Sequence, residues 1–279
     1  MKKILITRKL LITSEDYASK IFDAKLNKED KALTKEELIE NSQDCDGILT
    51  SLTEKIDSDV IKKLSDKVKI ISNVAVGFGN IDIVAAKKKN IAVKNTPDVL
   101  TDATAEIAIL ILLGAARRAK EGIEWANKKN WKWSADFLMG KQLTGARLGI
   151  LGMGRIGRAV ADKAKSFGMV IHYHNRSQLN KNLEKGAIYH NSLESLFSVS
   201  DFFSINCPAT KETKHIINKE SLKYFPNGAV LSNSARGDMI EDNAMVEALK
   251  SGKIYSLGID VYNGEPDIHP EYLLSLIHI

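Results

Sequence analysis

Gly152-Met153-Gly154-Arg155-Ile156-Gly157 stands directly behind an apolar stretch, Arg147 to Leu151, and directly ahead of the Ala-rich segment from Arg158 to Ala164. The first glycine permits a tight turn, the second lets a pyrophosphate approach the backbone, and the third lets a helix close on a strand. The pyrophosphate would rest on the helix N-terminus, where unpaired N–H groups and the helix dipole favour an anion. In a strand-turn-helix context this spacing marks a dinucleotide site, contacted by Gly152, Gly154, Arg155, Ile156 and Gly157. The next strand, Met169 to His174, ends at Asn175-Arg176-Ser177. About 20 residues past such a turn, an Asp or Glu would accept from a ribose 2′-OH. Here Asn175 takes that place, Arg176 can pair with a 2′-phosphate, and Ser177 can donate to it. NADP is therefore expected in preference to NAD. His172 and His174 alternate along the same strand with no third ligand beside them, so they read as structural and no metal site is expected.

The elements that position this turn follow from pattern and composition. The 279 residues are 44% hydrophobic and 27% charged with five prolines, which excludes disorder and repeats and suggests two domains. Before Asn95-Thr96-Pro97-Asp98, strands at Lys3 to Thr7, Asp46 to Ser51, Ile70 to Asn73 and Ile91 to Val93 alternate with helices. The helices are Lys35 to Asn41, Asp57 to Leu64 with Asp57 as N-cap, and Ile81 to Lys89. This βαβ rhythm implies a parallel sheet covered by helices. Proline turns its predecessor away from helix, so the first domain should end near Asp98. A long helix, apolar nearly all round and hence buried, should run from Thr101 to Lys120. An irregular tryptophan-bearing stretch from Trp125 to Leu143 then leads to a second βαβ series starting at Ala146.

Several function classes are excluded by composition. Of 40 basic residues only eight are arginine, and the lysines form no stripe interleaved with aromatics, so the net charge of +5 reads as solvated surface and not as a nucleic-acid footprint. No segment reaches the roughly 20 apolar residues that span a bilayer, and the apolar run at the start is too short for a signal peptide. Cys45 and Cys207 lie far apart in no metal-binding pattern, which makes a reducing cytoplasm the expected location.

Three motifs in one order, Gly152-Met-Gly-Arg-Ile-Gly157, Asn233-Ser-Ala-Arg236-Gly237-Asp238 and Asp260-Val-Tyr-Asn-Gly-Glu265-Pro266, resemble the D-isomer-specific 2-hydroxyacid dehydrogenases, above all the glyoxylate/hydroxypyruvate reductase branch. Ala75-Val-Gly-Phe-Gly-Asn-Ile-Asp82, Thr101 to Glu106, Ser200 to Phe203 and Cys207 to Thr210 extend the likeness over almost the whole chain. The resemblance implies a smaller flavodoxin-like α/β substrate domain over residues 1–98. Over residues 99–279 it implies a Rossmann-type NAD(P)-binding domain, with the active site in the cleft between the two. It implies that the amides of Val76 and Gly77 hold the substrate carboxylate, although Gly79 replaces an aspartate common there. Arg236 would clamp the 2-oxo acid and polarise its carbonyl while hydride arrives from the nicotinamide. Asp260 would contact the nicotinamide carboxamide, and Ser234, Cys207 and Pro208 the rest of the cofactor. Glu265 would orient a catalytic histidine and raise its pKa. Trp131 and Trp133 are expected at a domain or subunit junction, and the parent protein is expected to be a homodimer.

In such relatives the proton donor is a histidine in a Pro-His-Ile-Gly loop downstream of Glu-Pro. No such loop occurs before Ile279, and neither His269 nor His278 has the setting of one. The chain is accordingly expected to be truncated, without the closing C-terminal helix of its relatives. Residues 274–279, which resemble a translated transposon-end adapter, are expected to be foreign. The expected substrate is a small 2-oxo or 2-hydroxy acid. Another D-2-hydroxyacid dehydrogenase, such as phosphoglycerate dehydrogenase, is the alternative among enzymes, and a non-catalytic nicotinamide-sensing binding protein on the same fold is the alternative outside them.

Overall fold

The computed structural model describes residues 1–128, 133–274 and 277–278. The chain divides into two compact units, Met1–Leu100 and Thr101–Ile279. In the first, strands and helices alternate: β1 (Lys3–Ile6), α1 (Ile12–Ile21), β2 (Asp23–Leu26), α2 (Lys35–Asn41), β3 (Gly47–Thr50), α3 (Ser58–Lys63), β4 (Ile70–Asn73), α4 (Ile83–Lys88) and β5 (Ala92–Lys94). The five strands are parallel in the order β2-β1-β3-β4-β5, the flavodoxin-like arrangement.

Three of the four helices of this unit, α2, α3 and α4, begin where side chains take their unpaired N–H groups. Asp57 accepts from Asp59 and Val60 at the head of α3, and Asp82 from Ala85 at the head of α4. Thr34 and Glu37 form a reciprocal capping box on α2. The segment containing α1 and β2 carries little periodic signal. Only Ala18 of α1 is buried, and the edge strand β2 alternates exposed with half-buried residues.

The second unit opens with α5 (Thr101–Ala116) and α6 (Ala119–Ala126). There follow β6 (Arg147–Leu151), α7 (Arg155–Ser166), β7 (Val170–His174), α8 (Lys181–Glu184), β8 (Ile188–Tyr189), α9 (Leu193–Val199), β9 (Phe202–Ile205), α10 (Lys219–Tyr224), β10 (Ala229–Asn233), a 3₁₀ turn (Gly237–Met239), α11 (Asp242–Lys250), β11 (Ile254–Ile259), α12 (Pro270–Leu274) and β12 (Ile277–His278). The sheet is parallel, ordered β12-β11-β10-β9-β6-β7-β8. Counting from β6, its first six strands run 3-2-1-4-5-6, the dinucleotide-binding order. Central strands such as β9 and β10 are buried on both faces, so they read as largely apolar runs, with Ser204, Ser232 and Asn233 the polar exceptions. Phe202 and Phe203 point to opposite faces, each into its own core cluster.

The long helix expected to reach Lys120 ends at Ala116. Arg118 takes a left-handed conformation (φ +55°), and α6 begins after it. The cause is tertiary: the Lys141 N–H donates to the freed Ala116 carbonyl at 2.8 Å, which a continuing helix would have used. The middle of α5 is largely buried as expected. At Gly258 a Cβ would strike the Ile111 carbonyl, so α5 lies directly on β11, and Ser256 Oγ donates to Ala115 O at 2.9 Å. On the opposite side of the helix Leu110 is 62% exposed. Trp131 falls outside the described residues, and Trp133 is exposed.

Candidate functional site

Because the strands of the second sheet run in one direction, their C-terminal ends form a single edge. Across it the order β7, β6, β9, β10, β11 sets Arg176, the Gly152–Gly157 turn, Cys207, Arg236 and Asp260 side by side. With strands about 4.8 Å apart, the four steps from β7 to β11 cover roughly 19 Å, room for a dinucleotide laid across the strand ends. The strand order reverses between β6 and β9, where such a sheet opens a crevice for a ligand.

The three glycines of the turn divide the work. Gly152 has φ +92°, and a Cβ there would lie 2.6 Å from Cys207 N and 2.7 Å from Cys207 Cα. A Cβ on Gly157 would strike the Gly152 carbonyl, so α7 must start in contact with the turn. At Gly154 a Cβ would meet no atom within 4 Å. The fold itself demands the outer two glycines; the middle one leaves open space at the N-cap of α7, where no side chain caps the helix. At the end of β9 the buried Asn206 Oδ1 has no partner among the described residues, while its Nδ2 donates to Ser204 Oγ at 3.0 Å. An open anion cradle beside an unsatisfied polar atom fits a bound dinucleotide.

Asn175 does something the sequence did not announce. Its Oδ1 accepts from the Met153 N–H at 2.7 Å, while the His174 carbonyl accepts from Gly152 N–H at 3.0 Å. The side chain standing where a ribose-binding carboxylate would be thus fastens the Gly-rich turn to β7. Arg176 and Ser177 are exposed beyond it. The carboxyl of Glu212 is held below its usual range, first by the Thr210 hydroxyl and in part by the Arg176 guanidinium. Cys207 is half-buried with its Sγ 4.0 Å from Met239 Sδ, and burial pushes its thiol up to about 11, so it packs as a neutral group. Pro208 is exposed, and its carbonyl accepts from Thr213 Oγ1 at 2.9 Å.

Beyond β10 the chain turns on the buried Asn233. Its Oδ1 accepts from Ala235 N–H at 3.0 Å, its Nδ2 donates to the Arg236 carbonyl at 2.8 Å, and its own carbonyl takes the Asp260 N–H at 3.0 Å. Ser234 is half-buried in this turn, and Arg236 and Asp260 are exposed at its rim. A Cβ on Gly237 would strike the backbone of Tyr262 and Asn263, so the Arg236 and Glu265 loops are packed together. The Glu265 carboxylate accepts from Tyr262 N–H at 2.9 Å and closes that second loop. Among the described residues the Arg236 side chain donates to the neighbouring Ala235 carbonyl, at 2.6 Å. In the first unit Val76 and Gly77 are half-buried in the loop after β4.

Behind the turn lies a histidine cluster. Ser195 Oγ donates to Ser192 O at 3.0 Å, which leaves it to accept from His190 Nδ1 at 3.1 Å. His190 Nε2 then accepts from His172 Nδ1 at 2.8 Å, and His174 Nδ1 donates to the His190 carbonyl at 2.8 Å. This assignment follows from the network. His190 was not singled out in the sequence because it lies in the turn after β8, far from the strand pair in the chain. Asn206, and the role of Asn233 within its motif, escaped for a different reason: neutral amides carry no catalytic signature.

An α/β protein with a Gly-rich turn at a strand-order reversal and an arginine on the same edge is a dinucleotide-dependent enzyme by design of fold and site. Residues 109–279 match the pattern of the D-isomer specific 2-hydroxyacid dehydrogenase NAD binding domain. The chain is 40% identical over 274 residues to a glycerate dehydrogenase of Hyphomicrobium methylovorum, covering 97% of this chain and 85% of that one. It is 39% identical over 274 residues to a glyoxylate reductase of Thermococcus litoralis, covering 96% of this chain and 82% of that one. A crystal structure from Polaromonas sp. JS6 66, assigned to the same dehydrogenases, superposes with a TM-score of 0.93 at 41% identity, covering 100% of this chain and 88% of that one. The chain belongs to the D-isomer-specific 2-hydroxyacid dehydrogenase family and is an NAD(P)-dependent oxidoreductase.

Burial, then the neighbouring His190 and Arg147, hold His172 below its ordinary value; burial and then His174 do the same for His190. The unfolded chain, with histidines near pKa 6.5, binds more protons than the folded one below that pH. The cluster's contribution is therefore complete above about pH 6.5 and lost as pH falls through the depressed folded values. Thermal denaturation should show Tm level between pH 7 and 8 and declining below about 6.5, with His190→Asn flattening that decline.

Proposed function

We propose that this chain reduces a small 2-oxo acid of the glyoxylate or hydroxypyruvate kind to the D-2-hydroxy acid, taking NADPH in preference to NADH. The observation that carries the reading is the single sheet edge on which the open Gly154 cradle, the exposed Arg176 and the exposed Arg236 stand in strand order. Gly152, Gly154, Arg155, Ile156 and Gly157 would hold the pyrophosphate; Arg176, Ser177 and the amide N–H groups of Asn175 the 2′-phosphate; Cys207, Pro208, Ser234 and Asp260 the nicotinamide half. When bound, the nicotinamide supplies hydride to the substrate's carbonyl carbon. Arg236, permanently charged and planar, would grip the 2-oxo acid and offset the negative charge that develops on its carbonyl oxygen. Val76 and Gly77 would receive the substrate carboxylate, with residues 1–98 as the substrate domain and 99–279 as the cofactor domain. Glu265 would orient a proton-delivering histidine, a place that neither His269 nor His278 has the setting to fill. Relatives named glycerate dehydrogenase and glyoxylate reductase support the substrate class, and two free thiols, Cys45 and Cys207, suit a reducing cytoplasm.

A second copy of the chain is the proposed partner. The exposed side of α5 carries a groove of about 430 Å³ lined by Ile109, Leu110, Leu113 and Phe167 with Glu106 and Lys163 at its rim, an apolar surface of the kind that pairs across a twofold axis. Leu110→Glu should convert a dimer to a monomer in sedimentation, and a wild-type monomer would remove this part of the reading.

Fluorescence titration separates the two arginines. Arg176→Ala should weaken NADPH about 10- to 100-fold, the weight of a charge-assisted contact, and leave NADH unchanged. Arg236→Gln should leave both cofactors unchanged and weaken oxalate, a 2-oxo acid analogue, by a similar factor. Wild-type preference for NADH would overturn the cofactor choice, and faster turnover of 3-phosphohydroxypyruvate than of glyoxylate or hydroxypyruvate would overturn the substrate choice.

A further inference from the structure

The loop after β4 treats its two kinds of backbone group unequally. Four successive carbonyls are all taken up by the protein: Ala75 accepts from Thr96 N–H at 3.0 Å, Val76 from Asn95 Nδ2 at 2.8 Å, Gly77 from Asn73 Nδ2 at 2.7 Å, and Phe78 from Ile81 N–H at 3.0 Å. The N–H groups of Val76, Gly77 and Phe78 have no acceptor among the described residues. In a planar trans peptide the carbonyl and the N–H that follows it point in opposite directions. Fixing the carbonyls of Ala75, Val76 and Gly77 to the body of the unit therefore turns the N–H groups of Val76, Gly77 and Phe78 away from it. Partly buried donors left unpaired are costly unless a ligand meets them, and successive backbone N–H groups are a natural seat for an anion.

Two of the four ties are asparagine side chains, and one of these is the outer end of a buried relay. Asn73, fully buried, spends one Nδ2 hydrogen on Gly77 O and the other on Asn80 Oδ1 at 3.2 Å, and its own Oδ1 has no partner among the described residues. Asn80 Nδ2 reaches the carbonyls of Ser51 and Glu54, at 2.8 and 3.0 Å. Glu54, 4% exposed, accepts from Ser51 N–H at 3.2 Å, Thr50 Oγ1 at 3.0 Å and Thr53 Oγ1 at 2.9 Å. Burial raises its carboxyl, but these donors together outweigh burial and keep it below its usual range.

We infer that Asn73 and Asn95 are positioning residues for substrate binding: by holding the carbonyls of Gly77 and Val76 they present a row of three N–H donors, Val76, Gly77 and Phe78, to the substrate carboxylate. This adds Phe78 N–H as a third donor and rests on the reading that the carboxylate binds at Val76 and Gly77. Glu54 and Asn80 anchor the bracket to the loop after β3. Neither asparagine touches the substrate.

The test is oxalate titrated into the full chain with NADPH present, followed through ¹⁵N amide resonances. In the wild type the Val76, Gly77 and Phe78 signals should move saturably. Asn95→Leu, which keeps size and loses the donor, should weaken oxalate about tenfold or more while NADPH affinity stays at the wild-type value and the chain remains folded. Asn73→Ser is the second variant, and should it fail to fold, the half-buried Asn95 carries the test alone. Wild-type shifts at all three amides with undiminished oxalate affinity in Asn95→Leu would overturn the positioning role and leave the carboxylate reading intact. Absence of wild-type shifts at these amides would overturn the carboxylate reading, and the inference with it.

Discussion

Gly152 passes so close beneath the backbone of Asn206 and Cys207 that no other residue fits, and the dinucleotide-binding half of the molecule is arranged around that passage. At φ +92° the turn reverses β6 into α7 without leaving the sheet edge. Gly157 then lets the helix begin against the Gly152 carbonyl. From β7, the His174 carbonyl and the Asn175 side chain take the N–H groups of Gly152 and Met153, so the turn is gripped from both neighbouring strands. A loop held this firmly can offer a helix N-terminus to an anion without first having to be ordered, which is what preorganised binding requires. The histidines behind β7 support the same grip at one remove.

The same logic of fixed backbone recurs in the first unit with different parts. There the loop after β4 is held by its carbonyls, and its N–H groups are what remain. At Arg236 the holding is done by Asn233, which ties both ends of a three-residue turn, and by Gly237, which lets that turn lie on the Tyr262 loop. In each place the groups offered outward are charged or strongly polar, and the groups that aim them are neutral amides. Neutral amides suit this task because they satisfy buried carbonyls without adding a charge that would compete with the ligand.

This division explains what could be read from the sequence and what could not. The Gly-rich turn, the N-cap at Asp57, the helix Lys35–Asn41 and the buried strands all follow from local rules, and the structure shows each of them. Arg236 and the Val76-Gly77 loop were visible through their motifs. The aiming roles of Asn73, Asn95, Asn206 and Asn233 were not, since an asparagine that aims a loop and one that merely forms a turn look alike until partners distant in the chain are known. The end of α5 was misread for a related reason: Arg117 to Lys120 are good helix formers, and only the returning Lys141 N–H, 25 residues on from Ala116, gives the helix cause to stop. The segment holding α1 and β2 had too little amphipathic contrast to announce itself, because only Ala18 of the helix enters the core.

The open space above Gly154 is the proposed seat of the dinucleotide's pyrophosphate. Because a Cβ at Gly154 meets no protein atom and its φ of −74° is an ordinary one, a side chain can be added there at little cost to the fold, yet it occupies the place of the pyrophosphate. Equilibrium titration of NADPH into the wild type and Gly154→Val is the direct measurement. Gly154→Val should leave Tm unchanged and reduce NADPH affinity at least about tenfold, or about 1.4 kcal/mol. Equal affinity in the two proteins would place the pyrophosphate elsewhere.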